Sequence, residues 1–497
     1  MAANRTLPLR LGDDLAANLQ LLTRYYEALP DLTVTRTVCN GTAIAIAYFE
    51  SLTDNKTIHE IILAPILMPS APDLPLSRIY PFASNTTREW KTVAADLARG
   101  FAILFENGSS TVHLFDVRRI PRRTPSEPNS EAALKGSHIG FIESYQDNMA
   151  MIRHYLNDEK LACRTFTIGS RVTTTCGLLY LQDVANEEYV NEMARRINSL
   201  NVDAVINIGI LEEWVEDTPY SIFPQFMVTE RPDVTVSHLL HGRVAIIIDK
   251  SAGAVIGPMT FSSYFQALDD YTTRWPIASF LRILRMVGFL IAVFLPSVYI
   301  AAVSFHYEII PIELIMSIGR SRERVPLPPI IEALIMETVL EMLREAGLRL
   351  PSRVGQTVGI VGGIVIGQAA VDAGIVSNVM VVVVAFTAIA SFIQPQQDMA
   401  SAIRLLRFPF MLAAYLLGSI GIVCGMMILA AHLVTLRSLR APFGSPYAPI
   451  HTSEWKDTLL RLPRWLLQTR PTTLRPKQHD RHQVPRRFKS GSSEGEP

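Results

Sequence analysis

The pattern of hydrophobic and polar positions divides the chain into two parts. Up to residue 270, apolar residues come in short runs that alternate with polar positions or recur at helical spacing. From Met286 onward, apolar runs become long enough to fill a bilayer, since a spanning helix needs about 20 mostly apolar residues. The pattern therefore predicts a cytoplasmic α/β domain followed by an α-helical transmembrane domain.

Short strands and helices alternate in the first part and predict two α/β subdomains. We assign residues 1–125 and 126–270 to these subdomains, 271–440 to the transmembrane domain and 441–497 to a basic C-terminal tail. Acidic residues before Leu15 start a helix, Asn107-Gly108 turns a hairpin, and the run Val244 to Asp249 is typical of a buried strand. Alternation of this kind predicts an open sheet covered by helices. From Arg118 to Asn129, Pro, Arg and Ser occur without periodicity, which predicts an exposed connection.

Four spans are predicted in the transmembrane domain. The first is Met286 to Phe305. The stretch from Pro351 to Gln394 suits two spans, with the turn at Asp372 and Gly374. The fourth is the apolar run from Pro409 to Leu436.

A glycine repeat marks the first half of the Pro351 to Gln394 stretch. Its members are Gly355, Gly359, Gly363 and Gly367, and they share one face that lets another helix approach closely. Roughly opposite lie Thr357, Val361, Ile364 and Gln368, a face that is apolar in the middle and polar at both ends. We interpret these four as candidate pore or gate residues. The alternative is that they face lipid or a partner helix, with their polar groups bonded along the backbone.

An amphipathic helix is predicted between Pro326 and Leu350, with Gly347 as its stop signal. One face carries Glu337, Glu341 and Glu345, and the opposing face carries Ile335, Thr338, Val339, Met342 and Leu343. Candidate ion-interacting residues are Glu332, Glu337 and Glu341. For Glu332 the alternative is an acid that complements the helix dipole in the first turn. For the glutamate row the alternative is a solvated or interhelical charged face.

The number and position of charged residues bear on possible partners and on the membrane topology. Lys+Arg and Asp+Glu both number 46, which removes an overall electrostatic argument for nucleic acid. Arg274, Arg282 and Arg285 precede the first span, and the tail is strongly basic, so we expect both termini in the cytoplasm. This topology leaves Arg404 and Arg407 on the outer side.

No motif for cofactor, metal or catalysis stands out. The four cysteines lack metal spacing, and the α/β part has no glycine-rich phosphate loop, HExxH or G-x-S-x-G. Arg231, Asp233 and Asp249 fit turns and caps better than catalysis. We expect no cofactor, no enzymatic activity and, since an apolar region is missing from the first residues, no signal peptide.

Several segments together resemble the A subunit of bacterial spore germinant receptors, the GerA family. They include ALKGSHIGFIESYQDNMAMIR, HGRVAIIIDKS, PLPPIIEALIMETVLEMLREAGLRLP, VGGIVIGQAAVDAGIVSNVMVVVVAFTAIASF and RLLRFPF. The resemblance covers nearly the whole chain up to Pro471. The sequence after that residue differs, and we expect it to be disordered.

The resemblance implies an oligomer in the spore inner membrane, in contact with lipid. It also implies a transporter-like B subunit and a lipoprotein C subunit as partners, with the B subunit sensing the nutrient. A subunits of the family are proposed to form a ligand-gated ion channel that opens when germination starts. The alternative function is a membrane scaffold and signalling subunit without a pore of its own.

Overall fold

The structure is a computed structural model of the 497-residue chain. It describes residues 8–64, 83–117, 137–349 and 363–481, apart from residues 28, 40, 84 and 364. Within these residues lie two five-stranded sheets, a set of apolar helices and a C-terminal segment. The predicted connection Arg118 to Asn129 lies outside the described residues.

The first sheet is covered by helices on both faces. Its strands are β1 (Leu32–Cys39), β2 (Thr42–Phe49), β3 (Asn85–Thr87), β4 (Phe101–Glu106) and β5 (Val112–Asp116), in the order β1-β2-β4-β5-β3 with antiparallel pairing. The helices are α1 (Leu15–Tyr25), α2 (Asn55–Ile58) and α3 (Trp90–Ala98). In β2, Ala45 and Ala47 pack on the side of α1 and α3, while Ile44 and Ile46 pack on the side of α2. The period of two in the strand therefore fills both layers.

The second sheet repeats this plan. Its strands are β6 (Leu161–Ile168), β7 (Thr174–Leu181), β8 (Met227–Thr229), β9 (Val244–Ile248) and β10 (Ala254–Gly257), in the order β6-β7-β9-β10-β8 and again antiparallel. The helices are α4 (Tyr145–Tyr155), α5 (Glu187–Asn198), α6 (Ile208–Val215) and α7 (Pro232–Leu240). In the central strand, Ala245 and Ile247 face α4 and α7, whereas Val244, Ile246 and Ile248 face α5 and α6. All five are fully buried, which confirms the predicted helix-covered sheet.

Apolar helices follow the sheets. They are α8 (Trp275–Ser304), α9 (Ile312–Arg322), α10 (Pro329–Arg349), α11 (Asn378–Phe392), α12 (Gln397–Leu417) and α13 (Ser419–Thr435), and residues 365–372 are also helical. Among the described residues, α8 and α12 are long and apolar enough to cross a bilayer, while α11 and α13 are apolar but shorter. The first predicted span falls within α8, and the total of four spans stays a prediction. The predicted stop at Gly347 is wrong, because α10 continues to Arg349.

The apolar run from Pro409 to Leu436 is two helices and not the single span that was predicted. Gly418, with a φ of +61°, separates α12 from α13. The two helices pack closely, since a Cβ added at Gly421 would lie 2.0 Å from the carbonyl oxygen of Ala413. Gly425 likewise faces the ring of Phe410, so α13 folds back along α12. The left-handed backbone at Gly418 explains why the hydrophobic run alone could not reveal the break.

The close contact at Gly421 leads to a stability prediction. We expect Gly421→Ala to lower the free energy of unfolding by about 1–3 kcal/mol, because the methyl group collides with backbone that cannot move away. The matched control is Gly319→Ala in α9, where an added Cβ meets no atom of the described residues within 4 Å. That variant should be neutral or stabilising by up to about 1 kcal/mol. Denaturant unfolding of the purified chain in detergent measures both, and equal effects would contradict the packing.

The C-terminal segment returns to the second sheet. Two short strands, β11 (Arg437–Ser438) and β12 (Ala441–Pro442), follow α13, and the hydroxyl of Ser438 donates to the carbonyl oxygen of Gln225 at 2.6 Å. Phe443 and Leu474 are both almost fully buried. The expectation of disorder after Pro471 is therefore wrong for residues 472–481. The helix α8 starts from the α/β domain, and α13 leads back to it. The first residue of α8 and the last residue of α13 therefore lie on the same side of the helical part.

Candidate functional site

The predicted glycine and pore faces are only partly described. Gly355, Thr357, Gly359, Val361 and Ile364 lie outside the described residues. Their roles remain sequence-based predictions.

The described end of this stretch shows two different faces. Gly367 is buried, and a Cβ added there would lie 3.8 Å from the side chain of Val381 in α11. Gly363 is open, because an added Cβ would meet nothing within 4 Å among the described residues. Gln368 is exposed, and its amide donates to the Asp372 carboxylate at 2.9 Å. The predicted pore face is therefore uncovered at Gln368 in the single chain.

The turn of the predicted hairpin lies where the sequence placed it. Helical residues end at Asp372, and Gly374 has a φ of +67°. A Cβ at Gly374 would approach the carbonyl oxygen of Arg324 to 2.8 Å. Glycine is required here for both the backbone conformation and the close approach.

Glu332 joins three helices. Its carboxylate is fully buried and accepts a hydrogen bond from the backbone nitrogen of Ser377 at 2.8 Å, at the start of α11. The guanidinium of Arg322 in α9 lies 3.2 Å from its second oxygen. A carboxylate at the amino end of α11 also complements the dipole of that helix. The first-turn position in α10 therefore matters less than these contacts with α9 and α11.

Glu337 and Arg407 form a buried ion pair at the centre of the helices. Both side chains are under 5% exposed. Glu337 in α10 also accepts from the hydroxyl of Thr387 in α11 at 3.1 Å, and Nε of Arg407 in α12 donates to the carbonyl oxygen of Ala292 in α8 at 3.0 Å. Two charges buried in this way are stable only because each is paired and hydrogen-bonded. The cluster ties four helices together.

This pair corrects the predicted faces of α10. Glu337 points into the bundle, whereas Met342, assigned to the apolar face, is 59% exposed. Glu341 is about half exposed and meets Arg404 at 3.3 Å, so it fits the predicted interhelical charged face. Glu337 also makes an interhelical ion pair, which the alternative for the glutamate row included, but its burial was not predicted because its counter-ion lies on another helix, which helical spacing cannot reveal. The ion-interacting roles of Glu332, Glu337 and Glu341 stay predictions. Arg407 is an interior residue of α12.

A third charge cluster joins α8 to the sheets and the C-terminal segment. Arg282 and Asp270 are each 1% exposed and lie 3.0 Å apart. Arg285 approaches Asp270 to 2.8 Å, and Asp457 approaches Arg282 to 3.0 Å. Sequence reasoning treated the two arginines as a positive flank and did not single out either acid. An arginine inside the first turns of an apolar helix was the available signal, because such a residue needs a counter-ion.

The polar residues near the strand ends make local contacts. Arg231 pairs with Asp233 at 2.8 Å at the start of α7, and the Asp249 carboxylate accepts from the backbone nitrogen of Tyr145 at 3.2 Å. These are contacts of the cap and turn type. The charged groups that stand out are therefore the three clusters of the helical part, since buried ionisable residues in apolar helices are functional candidates.

Comparison with known proteins identifies relatives over almost the full length. A family model described as Bacillus/Clostridium GerA spore germination protein matches residues 20–473. Spore germination protein KA of Bacillus subtilis (strain 168) is 38% identical over 459 residues, covering 91% of this chain and 84% of that protein. Spore germination protein GerQA of Bacillus cereus is 35% identical, covering 95% of each chain.

Two further matches concern the membrane and a solved domain. An uncharacterized membrane protein of Bacillus subtilis (strain 168), YfkQ, is 37% identical and covers 93% of this chain and 92% of its own. The crystal structure of the N-terminal domain of the A subunit of the Bacillus megaterium spore germinant receptor GerK3 is 25% identical. It aligns with a TM-score of 0.40 over 51% of this chain and 99% of that domain.

Proposed function

This chain belongs to the GerA family of spore germination proteins, and from that premise we propose that it is the A subunit of a nutrient germinant receptor. Relatives that it matches over most of their length carry the name spore germination protein. Its role is to help trigger germination. The two long apolar helices and the relative named as a membrane protein support a place in a membrane, which we propose is the spore inner membrane with both termini on the core side.

We further propose that several copies form an ion channel that opens when nutrient is bound. The observation that carries this proposal is the uncovered face around Gln368, together with the open position at Gly363 on the glycine face. A neighbouring copy could pack on the small residue, and the face with Ile364 would then line the passage. An apolar constriction of this kind blocks ions by excluding water, and a small opening motion wets it.

The buried ion pairs suit a helical unit that moves as one body. Glu337 and Arg407 link four helices, and Glu332 links α9, α10 and α11. A nutrient can shift the channel only through a difference in affinity between the closed and open states. We place that nutrient site on a transporter-like B subunit, with a lipoprotein C subunit as the third member. Coupling would then cross a subunit interface.

The second candidate is a scaffold that holds the other subunits and signals without a pore. The α/β part and the C-terminal segment favour it, because they enclose a large core that a pore does not need. Asp270, Arg282 and Asp457 also connect that core firmly to α8, as a signalling joint requires.

Ion flux into liposomes distinguishes the two functions. For a channel, we expect Ile364→Ser to raise nutrient-independent flux by about tenfold or more, because a polar side chain wets the constriction. The matched control is Ile366→Ser, about 200° away around the same helix, which should leave flux unchanged. Cross-linking verifies that the reconstituted protein is oligomeric. Verified oligomers with no flux in either variant would overturn the channel and leave the scaffold.

A further inference from the structure

A polar cavity of about 420 Å³ lies between the second sheet and the C-terminal segment. One wall comes from the residues around α7 and β10, and the other from residues 453–481. None of its lining residues lies in helices α8 to α13, although Asp457, which pairs with Arg282 of α8, is part of its wall. The cavity is therefore separate from the proposed pore.

Cations without carboxylate partners line this cavity. Arg243 is 5% exposed, and its three hydrogen bonds go to neutral acceptors: the carbonyl oxygen of Pro258 at 3.0 Å, the hydroxyl of Ser263 at 2.7 Å and the ring of His238. Burial lowers the pKa of Arg243 to about 10. Arg481 and Lys456 have no side-chain hydrogen bond or ion pair to any described residue. A buried guanidinium whose hydrogen bonds all go to neutral groups retains a preference for an anion, and the charge of Glu454 in the same wall acts on it in that sense.

The preference of these cations for an anion is directed at the position of His241. Its ring is 9% exposed, lines the cavity and makes no hydrogen bond to a described residue. Burial lowers the pKa of His241 well below its ordinary value, and the nearby charges of Arg481, Arg243 and Arg470 add to the effect. Three guanidinium groups therefore direct positive potential at the same unpartnered side chain.

The acids in the wall are already engaged. Glu454 accepts from the backbone nitrogen and hydroxyl of Thr473 and from the hydroxyl of Thr472, at 2.7 to 2.9 Å. Asp457 also lines the cavity, and its charge is offset by Arg282 of α8 at 3.0 Å. The hydroxyl groups of Thr260, Ser262 and Ser263 line the wall as well. Thr260 lies within hydrogen-bond distance of both serines, and Ser262 donates to the carbonyl oxygen of Ser445 at 3.3 Å. Glu454 keeps its negative charge, but Arg243, Lys456, Arg470 and Arg481 outnumber it, so the net charge of the wall is positive, as an oxyanion site requires.

We propose that this cavity binds a phosphate-bearing anion, either free phosphate or the phosphate of a lipid headgroup. Arg243 and the hydroxyl groups form the floor, and Lys456 and Arg481 close over the anion from the C-terminal segment. Trp455 and Trp465 on that segment are about 40% exposed, as amphipathic side chains at a membrane surface are. Binding fastens the C-terminal segment to the second sheet. The site stands independently of whether the helices form a channel.

Titration of the full chain in uncharged detergent with inorganic phosphate tests the site. We expect saturable heat on calorimetry and a rise in the thermal midpoint at millimolar phosphate, with no rise in sodium chloride of equal ionic strength. Arg481→Gln and Lys456→Gln should each weaken binding by about tenfold. Arg437→Gln, which removes an exposed positive charge from the segment away from the cavity, should bind like the parent chain.

Nanodiscs distinguish the source of the phosphate. Competition by phosphatidylglycerol in the disc, relative to phosphatidylcholine, assigns the site to a headgroup, whereas undiminished titration assigns it to free phosphate. Either result supports the site. The proposed site would be overturned if sodium chloride raised the thermal midpoint as much as phosphate does. It would also be overturned if Arg437→Gln and Arg481→Gln lost phosphate binding equally.

Discussion

Arg407→Met is expected to destabilise the chain by about 3–5 kcal/mol, because it leaves the Glu337 carboxylate buried without a counter-ion. The hydrogen bond from Thr387 cannot replace a full charge, and the carbonyl oxygen of Ala292 loses its donor as well. Since four helices meet at this pair, we also expect loss of assembled receptor. Denaturant unfolding in detergent measures the stability, and the amount of folded protein in membranes measures the assembly.

Two further variants separate charge from packing at this position. Glu337→Leu combined with Arg407→Met removes both charges and should recover much of the loss, since apolar replacements of buried pairs are often tolerated. Arg404→Met, one turn earlier on α12, breaks a pair with the half-exposed Glu341 and should cost less than about 1 kcal/mol. If Arg404→Met and Arg407→Met lowered the free energy of unfolding equally, the ion pair at Glu337 would contribute no more to stability than the pair at Glu341.

Arg282→Met should have a comparable effect, about 3–5 kcal/mol, but at the joint between α8 and the rest of the chain. It leaves Asp270 with Arg285 as its ion-pair partner, and it leaves Asp457 with the hydrogen bond from the hydroxyl of Tyr271 at 2.8 Å but without Arg282. Because Asp457 belongs to the C-terminal segment, the part of that segment around residue 457 should loosen, while the buried Phe443 and Leu474 hold the flanking parts. Limited proteolysis should then cut between residues 441 and 481, where the parent chain resists.

The matched control for the joint is Arg274→Gln. Arg274 is exposed at the start of α8, so its loss should change stability by less than about 0.5 kcal/mol and leave proteolysis as in the parent. The double variant Arg282→Met with Asp457→Asn removes one unpaired acid and should recover part of the stability. Proteolysis of Arg282→Met at the parent rate would show that the ion pair does not hold the segment.

Local sequence signals located most of the secondary structure. The acidic residues before Leu15 supply the cap of α1, since Asp14 accepts from the backbone nitrogen of Ala16 at 3.0 Å. The apolar run that ends at Asp249 is the central strand β9. The turn before Gly374 also lies at its predicted position. These features depend on residues a few positions apart, which the pattern contains directly.

Misassigned features depended on partners far along the chain. Helical spacing placed Glu337 correctly on α10 but could not show that Arg407 makes its burial possible. An apolar run looks continuous whether or not a glycine such as Gly418 turns the chain back, so the span from Pro409 was wrong. The departure from the family after Pro471 also suggested a disordered end, although Leu474 is buried.

By itself the sequence determined the helix-covered sheets, the apolar helices, the glycine turn and the resemblance to the GerA family. Those follow from hydrogen-bonding periods, side-chain polarity and backbone freedom, which are properties of neighbouring residues. Only the tertiary structure decided the antiparallel strand order, the inward face of α10 and the pairing of Arg282 with Asp457, 175 residues away. A charge can be buried here only where a counter-ion from a distant part of the chain pairs with it, and only the folded structure brings the two residues together.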